Sequence, residues 1–344
     1  MPRETERRII MKIIIDAFGG DNAPLAPLQG ARLAAGKFDL DIIAVGDIEK
    51  MKKCCSENGI DTSRIEFLQA DSVFDMERDP MEIVKKRTDT SLHIAFKALN
   101  EGKGDAVVSA GSTGAILMGS TFIVRRIKGC KRPAIGSVMP CKTPGGFMLI
   151  DCGANTEARP EMLRQFAIMG SVYMEKVAGR KSPRVALLNN GTEETKGPES
   201  HVAAYSMMKE DPSLNFIGNI EGRDVMGSVA DVVVADGFSG NIALKTAEGV
   251  AAFITGRMKG MFLKSLKTKI AALLLKSELK EFKKQFDYKE YGGAPVLGVR
   301  KCVIKAHGSS DASAFMNAIR QAKTYVENDV SAVLRESLGG ESEE

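Results

Sequence analysis

Residues 231–249, DVVVADGFSGNIALKTAEG, constrain most strongly what this chain can fold into. Val232, Val233 and Val234 form an unbroken β-branched run. Without polar alternation, such a run reads as a strand covered on both faces, as in a parallel sheet flanked by helices. Gly237 and Gly240 then break the strand, and the residues from Asn241 onward suit a helix. A strand that hands over to a helix through small residues offers unpaired N–H groups and the positive end of a helix dipole to an anion. The pattern occurs twice. In residues 105–117, DAVVSAGSTGAIL, the pairs Asp105/Asp231, Val107/Val233, Val108/Val234, Gly111/Gly237, Gly114/Gly240 and Ile116/Ile242 match. Two such corners could face one crevice at the carboxyl edge of a sheet, where α/β folds bind ligands. Two ordinary strand–helix corners of one α/β protein would also look alike, and GxxG alone does not separate these readings.

The same alternation runs through the rest of the chain. Ile13, Ile14 and Ile15 lead into Asp16 and a glycine loop, AFGGDNAP, which lacks the GxGxxG spacing of a dinucleotide fingerprint. Helices are expected over 28–35, 48–57 and 91–99, and strands over 40–45 and 65–69. Further strands are expected over 133–138, 147–151, 184–188, 215–219 and 302–306, with a closing helix over 312–326. Pro160 suits a first helical position, and Leu163, Phe166, Ala167, Gly170, Tyr173, Met174 and Val177 follow as a buried stripe. Lys85, Lys86 and Arg87 read either as a solvated face or as a landing patch for an acidic partner. The loop NNGTEETKG, residues 189–197, is not a Walker A loop. Its Lys196 could meet a phosphate as a point charge, or could simply be an exposed loop lysine.

Composition narrows the function classes. The net charge of +4, from 48 basic and 44 acidic residues, does not argue for nucleic acid, and without Trp no base-stacking platform is evident. The six cysteines show no CxxC and the three histidines are scattered, so neither a zinc site nor a disulfide framework is supported. Reduced thiols in the cytoplasm are the default expectation. Residues 1–10 are charged, unlike a signal peptide, and are expected to form a disordered extension, with Met1 or Met11 as the start. Residues 11–335 are expected to form one α/β domain, and the acidic end, 336–344, a frayed tail. A helical protrusion is expected over about 245–287. Within it Met258, Met261, Phe262, Leu266, Ile270, Leu273 and Leu274 recur at three- and four-residue steps among lysines and Arg257. This basic amphipathic stripe can lie on an anionic membrane or be buried between subunits, and its spacing does not decide.

Several of these stretches together resemble the bacterial phosphate acyltransferases (the PlsX family). They are DAFGGD at 16–21, SAGSTGA at 109–115, DCGAN at 151–155, QFAIMG at 165–170, Leu187-Leu188-Asn189, Glu193-Glu194, Lys196-Gly197, GNIEG at 218–222, DGFSGN at 236–241, YGGAPVLG at 291–298 and HGSS at 307–310. Ser112 and Phe18 depart from the family pattern, which has Asn and Met there. The resemblance spans nearly all of the chain after Met11. It implies a Rossmann-like α/β fold, with a largely parallel sheet and flanking helices, similar to the isocitrate dehydrogenase and phosphotransacetylase folds. It implies a homodimer on the inner face of the cell membrane, with no metal and no cofactor.

The implied reaction is attack of inorganic phosphate on the thioester of acyl carrier protein, an acidic partner, giving acyl phosphate for phospholipid synthesis. A membrane acyltransferase would take up the product. Phosphate is itself nucleophilic, so the protein's task is positioning and oxyanion stabilisation. On this reading Lys196 neutralises phosphate, Asn241 donates to phosphate or to the oxyanion, and His307 protonates the leaving thiolate. Substrate contacts are expected from Asp16, Gly19, Gly20, Ser112, Thr113, Gly114, Asn155, Asn189, Glu194, Asp236, Ser239 and Gly240, with phosphate against the N–H groups of the two GxxG corners. The competing readings are a coenzyme A-dependent phosphate acyltransferase and a catalytically silent membrane scaffold. A dehydrogenase is disfavoured by the missing fingerprint.

Overall fold

The computed structural model describes residues 10–285 and 292–339. The extension before Ile10, the last two residues of the expected protrusion, Tyr291 and residues 340–344 lie outside the described residues. The chain divides into two compact units, one of residues up to 126 with 299–331, the other of residues 127–298 with those from 332.

The first unit begins with β1 (Lys12–Asp16), α1 (Leu25–Phe38), β2 (Asp41–Gly46), α2 (Ile48–Glu57) and β3 (Ile65–Gln69). It continues with α3 (Glu82–Lys85), α4 (Ser91–Asn100), β4 (Ala106–Ser109), α5 (Thr113–Gly119) and a π-helical turn, Ser120–Arg125. The second unit holds β5 (Ala134–Met139), β6 (Phe147–Ile150), α6 (Pro160–Lys176), β7 (Arg184–Asn189), α7 (Glu199–Lys209), β8 (Asn215–Glu221) and β9 (Val232–Val234). Three helices follow, α8 (Gly237–Leu263), α9 (Leu266–Leu274) and α10 (Lys276–Gln285), and then β10 (Ala294–Leu297). The chain returns to the first unit as β11 (Cys302–Lys305) and α11 (Ala312–Glu327), and ends in α12 (Val330–Ser337).

In the first unit the strand order is β3-β2-β1-β4-β11, and every pair is parallel. Ile13, Ile14, Ile15, Val107 and Val108 are fully buried, as an uninterrupted apolar run in a covered parallel sheet requires. Helix α1 packs against α11, closely enough that a Cβ on Gly30 would lie 2.9 Å from the Ala312 carbonyl oxygen. Parallel strands bring the loops after β1, β4 and β11 to one edge.

In the second unit the order is β10-β5-β6-β9-β7-β8. Val232–Val234 sit between β6 and β7, parallel to both and fully buried. Strand β5 runs against both β6 and β10. The connection from β5 to β6 is too short for a parallel crossover, which needs a dozen residues or more. The class expected from the sequence, α/β with mostly parallel strands and flanking helices, is the one observed.

The protrusion differs in detail from the single amphipathic helix expected. Helix α8 ends at Leu263, and Ser265 starts α9 through a reciprocal cap in which Thr268 N–H donates to Ser265 Oγ at 3.2 Å and Ser265 N–H to Thr268 Oγ1 at 3.0 Å. Leu266, Leu273 and Leu274 are 75%, 69% and 77% exposed, and Met261 and Ile270 are exposed too. Met258 and Phe262 are half-buried and line one pocket of ≈ 450 Å³ with Leu279 and Phe282. Among the described residues, no helix is long and apolar enough to cross a membrane.

Candidate functional site

In the first unit the loops after β1, β4 and β11 interlock around Asp16. Its carboxylate is buried and accepts hydrogen bonds from Ser91 Oγ and Ser109 Oγ, each at 2.7 Å, and from Phe18 N–H at 3.3 Å. Burial pushes its pKa above the usual carboxylate range, while these hydrogen bonds act in the opposite direction. Ser109 Oγ in turn accepts from Gly111 N–H at 3.0 Å. A Cβ on Gly19 would lie 2.5 Å from Asp16 Oδ2 and 2.8 Å from Gly111 N. Gly20 has φ +96°, and the next N–H, of Asp21, donates to Gly308 O at 2.9 Å. Asp16 and the two glycines therefore set the loop shape, and the carboxylate is held by Ser91, Ser109 and Phe18 N–H. Ser112 Oγ caps α5, accepting from Ala115 N–H at 3.5 Å. Among the described residues, nothing accepts the N–H groups of Ser112, Thr113 and Gly114. His307 is half-buried on the neighbouring loop, its Nδ1 2.9 Å from Ser309 Oγ.

The second unit repeats the device with Asp151, at the end of β6. Its oxygens accept from the N–H groups of Ile135 and Ala154, both at 3.1 Å, and from the N–H and side-chain amide of Asn155, at 2.7 and 2.9 Å. Burial again raises its pKa against these bonds. The Asn155 amide also donates to Pro133 O at 2.9 Å. The side chain expected to touch substrate is thus spent on the loop. A Cβ on Gly237 would lie 2.6 Å from Asn155 O, and one on Gly240 only 1.9 Å from Asp151 O. These glycines let the head of α8 press against the 151–155 loop.

That packing corrects one expectation. Gly237 N–H donates to Asn155 O at 2.7 Å, Ser239 N–H to Asp236 Oδ1 at 2.8 Å, and Gly240 N–H to Asp236 O at 2.9 Å. The helix is capped by its own acid, so the N–H groups of Ser239 and Gly240 are not available to phosphate. Asn241, one residue on, is exposed, and no hydrogen bond holds its amide among the described residues. It lies over Gly153, where a Cβ would be 3.5 Å from Asn241 Cγ.

The Lys196 loop is clamped at two carbonyls by two strand-end amides. Asn189 Nδ2 donates to Lys196 O at 2.9 Å, and Asn219 Nδ2 to Glu193 O at 2.8 Å. Lys196 N–H closes the turn onto Glu193 O at 3.1 Å. The Lys196 ammonium is half exposed, 3.9 Å from Glu193. Glu194 faces away into a surface group, 2.7 Å from Lys209 Nζ and 3.1 Å from Tyr205 OH. Asn219, in the GNIEG stretch, is buried with its Oδ1 unpaired, and no site role was expected of it.

Beside the α8 head, a pocket of ≈ 820 Å³ is walled by residues 154–160, Arg132, Met162, Pro198, Ser200, His201 and Asp236. His201 is buried, with Nδ1 3.4 Å from Ser200 Oγ and Nε2 3.8 Å from Asp236 Oδ2. Burial holds its pKa below the ordinary value, and Asp236 offsets part of that. Ser200, His201 and Asp236 do not form a nucleophilic triad, because 3.8 Å is beyond a hydrogen bond. His201 lies inside a helix whose pattern marks it only as polar, and its neighbour Asp236 is remote in sequence.

Other candidates have ordinary surroundings. Lys86 pairs with Glu82 and Arg87 with Asp89, each at 3.4 Å, which favours the solvated-face reading of that cluster. Cys152 is buried and its thiol pKa is pushed far up, so it is no nucleophile. Among the described residues, no cluster of three His, Cys, Asp or Glu side chains is placed to hold a metal.

The family model described as fatty acid synthesis protein matches residues 11–333. The phosphate acyltransferase of Bacillus licheniformis is 45% identical over 335 residues, 97% of this chain and 100% of that protein. That of Bacillus subtilis is 45% identical over 331 residues, 95% and 98% of the two chains. Among solved structures, a phosphotransacetylase from Streptococcus pyogenes matches with a TM-score of 0.65 at 16% identity, covering 92% of this chain and 94% of that one. A branched-chain phosphotransacylase from Enterococcus faecalis matches at 0.56 and 15% identity, covering 92% and 99%. These two show a shared fold, whereas the full-length sequence matches show descent. The chain belongs to the fatty acid synthesis protein family, together with the bacterial phosphate acyltransferases.

Proposed function

We propose that this protein transfers an acyl group from acyl carrier protein to inorganic phosphate, releasing acyl phosphate and the carrier thiol. The observation that carries this reading is the polar edge of the second unit, on a chain of this family. Asn241 has an uncommitted amide, and Lys196 a half-exposed ammonium on a doubly clamped loop. A phosphate oxygen forms a bond to the thioester carbonyl carbon, the carbonyl oxygen becomes an oxyanion, and its collapse breaks the C–S bond. Lys196 offsets the phosphate charge, and Asn241 donates to the oxyanion or to phosphate. Asp16, Asn155, Asn189 and Asp236 act by holding loops, so their contribution is positional.

The exposed apolar tip of α9, set among Lys264, Lys267 and Lys269, supports a homodimer and contact with an anionic membrane as parts of the same proposal. That location would hand a lipophilic product to a membrane acyltransferase. The test incubates the protein with phosphate and either an acyl carrier protein thioester or the coenzyme A thioester, following thiol release and acyl phosphate. Release from the carrier form supports the proposal. Release from coenzyme A alone selects the second reading, and release from neither leaves only a scaffold. Lys196→Ala and Asn241→Ala should each slow turnover ~100-fold, the scale of losing one oxyanion donor, with circular dichroism unchanged.

A further inference from the structure

The ≈ 820 Å³ pocket beside the α8 head is far larger than a phosphate ion needs and falls in the range of small-molecule sites. Its walls alternate in character. Ala154, Ala158, Pro160, Met162 and Pro198 are apolar, while Thr156, Ser200 and His201 offer hydrogen bonds. Glu157 and Asp236 balance Arg132 and Arg159, so no excess of positive charge favours a bare anion. Four charged side chains equally disfavour a long hydrocarbon chain. His201 Nε2 stands at this wall 3.8 Å from Asp236 Oδ2, beyond a hydrogen bond, and is placed to meet a polar group of a ligand. The helices α6 and α7 also begin here, with Arg159 and Pro198 at their caps and no side chain satisfying their first turns.

We propose that this pocket receives the pantetheine arm that carries the acyl thioester. Such an arm alternates short apolar segments with secondary amides and ends in a phosphate, a phosphodiester on a carrier protein and part of a diphosphate on coenzyme A, matching the mixed, charge-balanced wall. The amides meet His201, Ser200 and Thr156, and the phosphate meets Arg132 and Arg159, which are exposed. The pocket shares Asp236 with the helix that carries Asn241, so an arm seated in it delivers the thioester toward that amide. The inference rests on the acyl-transfer reading of the same site. A carrier protein and coenzyme A both supply such an arm, and the assay distinguishes them.

The test uses Thr156→Trp, an exposed wall position whose enlargement fills the pocket without touching the core, and Arg132→Ala. Steady-state rates are measured with acyl carrier protein, acyl-coenzyme A, acyl-pantetheine lacking the phosphate, and an acyl thioester of N-acetylcysteamine. Thr156→Trp should raise KM for every pantetheine thioester ~10-fold or more while KM for phosphate and the N-acetylcysteamine rate stay within ~2-fold. Arg132→Ala should raise KM only for donors whose pantetheine bears the phosphate, the carrier protein and coenzyme A thioesters. Preference for carrier protein over coenzyme A in the parent identifies the source of the arm. In parallel, calorimetry reads binding of pantetheine 4′-phosphate without any turnover. Binding by the parent that Thr156→Trp abolishes supports the site. No binding by the parent, or equal binding by both, overturns it. An inactive parent that still binds the arm would count against the acyl-transfer reading alone.

Discussion

Replacing Gly240 by alanine should both destabilise the second unit and disable it. The added Cβ would stand 1.9 Å from the Asp151 carbonyl oxygen and 3.1 Å from its carbon. Real contacts of this kind do not fall below 3.0 Å, so the α8 head must retreat by roughly 1 Å. The loop cannot yield instead, because Asp151 is fixed by four hydrogen bonds from Ile135, Ala154 and Asn155. Overpacking of this kind costs about 1–3 kcal/mol, and loosening the Gly237 and Ser239 bonds adds about 1 kcal/mol each. A total near 3–5 kcal/mol corresponds to a fall in Tm of roughly 6–20 °C for a unit of this size. Asn241 moves with the helix, and a displacement of about 1 Å in a positioning group can lower the rate ~100-fold. Scanning calorimetry reads the first effect and phosphate-dependent thiol release the second. Gly36→Ala, on α1 with nothing within 4 Å, is the control and should be neutral or stabilising. Unchanged Tm and rate in Gly240→Ala would refute the role given to this contact.

Three further outcomes follow from single contacts. Asn219→Asp removes the donor to Glu193 O, so KM for phosphate should rise ~10-fold, and by less than that in a Lys196→Ala background; additive effects would separate Asn219 from Lys196. Burial depresses the His201 pKa, so its stabilising contribution is full above the unfolded value near pH 6.5 and is lost as pH falls toward the folded one. The parent's Tm should therefore drop faster than that of His201→Gln below about pH 6.5, and parallel curves would contradict this. If the N–H groups of the Ser112–Gly114 corner meet phosphate, Ser112→Ala should stay within a few-fold of the parent, whereas Gly114→Val should block that corner, where even a Cβ lies 2.6 Å from Pro80 Cγ. Equal losses in both variants would show that the Ser112 hydroxyl matters as much as the corner.

The strands were legible because Ile13–Ile15 and Val232–Val234 are unbroken apolar runs, which only a doubly covered strand accommodates. Strand direction was harder to read. Phe147–Ile150 looks the same whichever way its neighbour runs, and only the short preceding loop signals that β5 is antiparallel. The break at Ser265 rests on a Ser-x-x-Thr cap, a weaker mark than an acidic one. At the site, sequence located the right loops but not the partners of their polar groups. Asp16, Asp151 and Asn155 stand at strand ends, as ligand-binding residues do, yet they hydrogen-bond residues far along the chain, and Asn189 is spent on the Lys196 carbonyl. Asn219 lay in the GNIEG stretch but without a role, and His201 gave no periodic or motif signal, because their contacts are ones that only folding creates.

The central claim is that phosphate attacks the thioester directly, with no acyl group passing through the protein. Stopped-flow thiol release, with enzyme in excess over acyl carrier protein thioester, tests it in one experiment. Without phosphate the account predicts no release, and on adding phosphate it predicts one acyl phosphate per thiol liberated. A stoichiometric burst of thiol before phosphate is added would contradict it, and would instead establish a covalent acyl-enzyme.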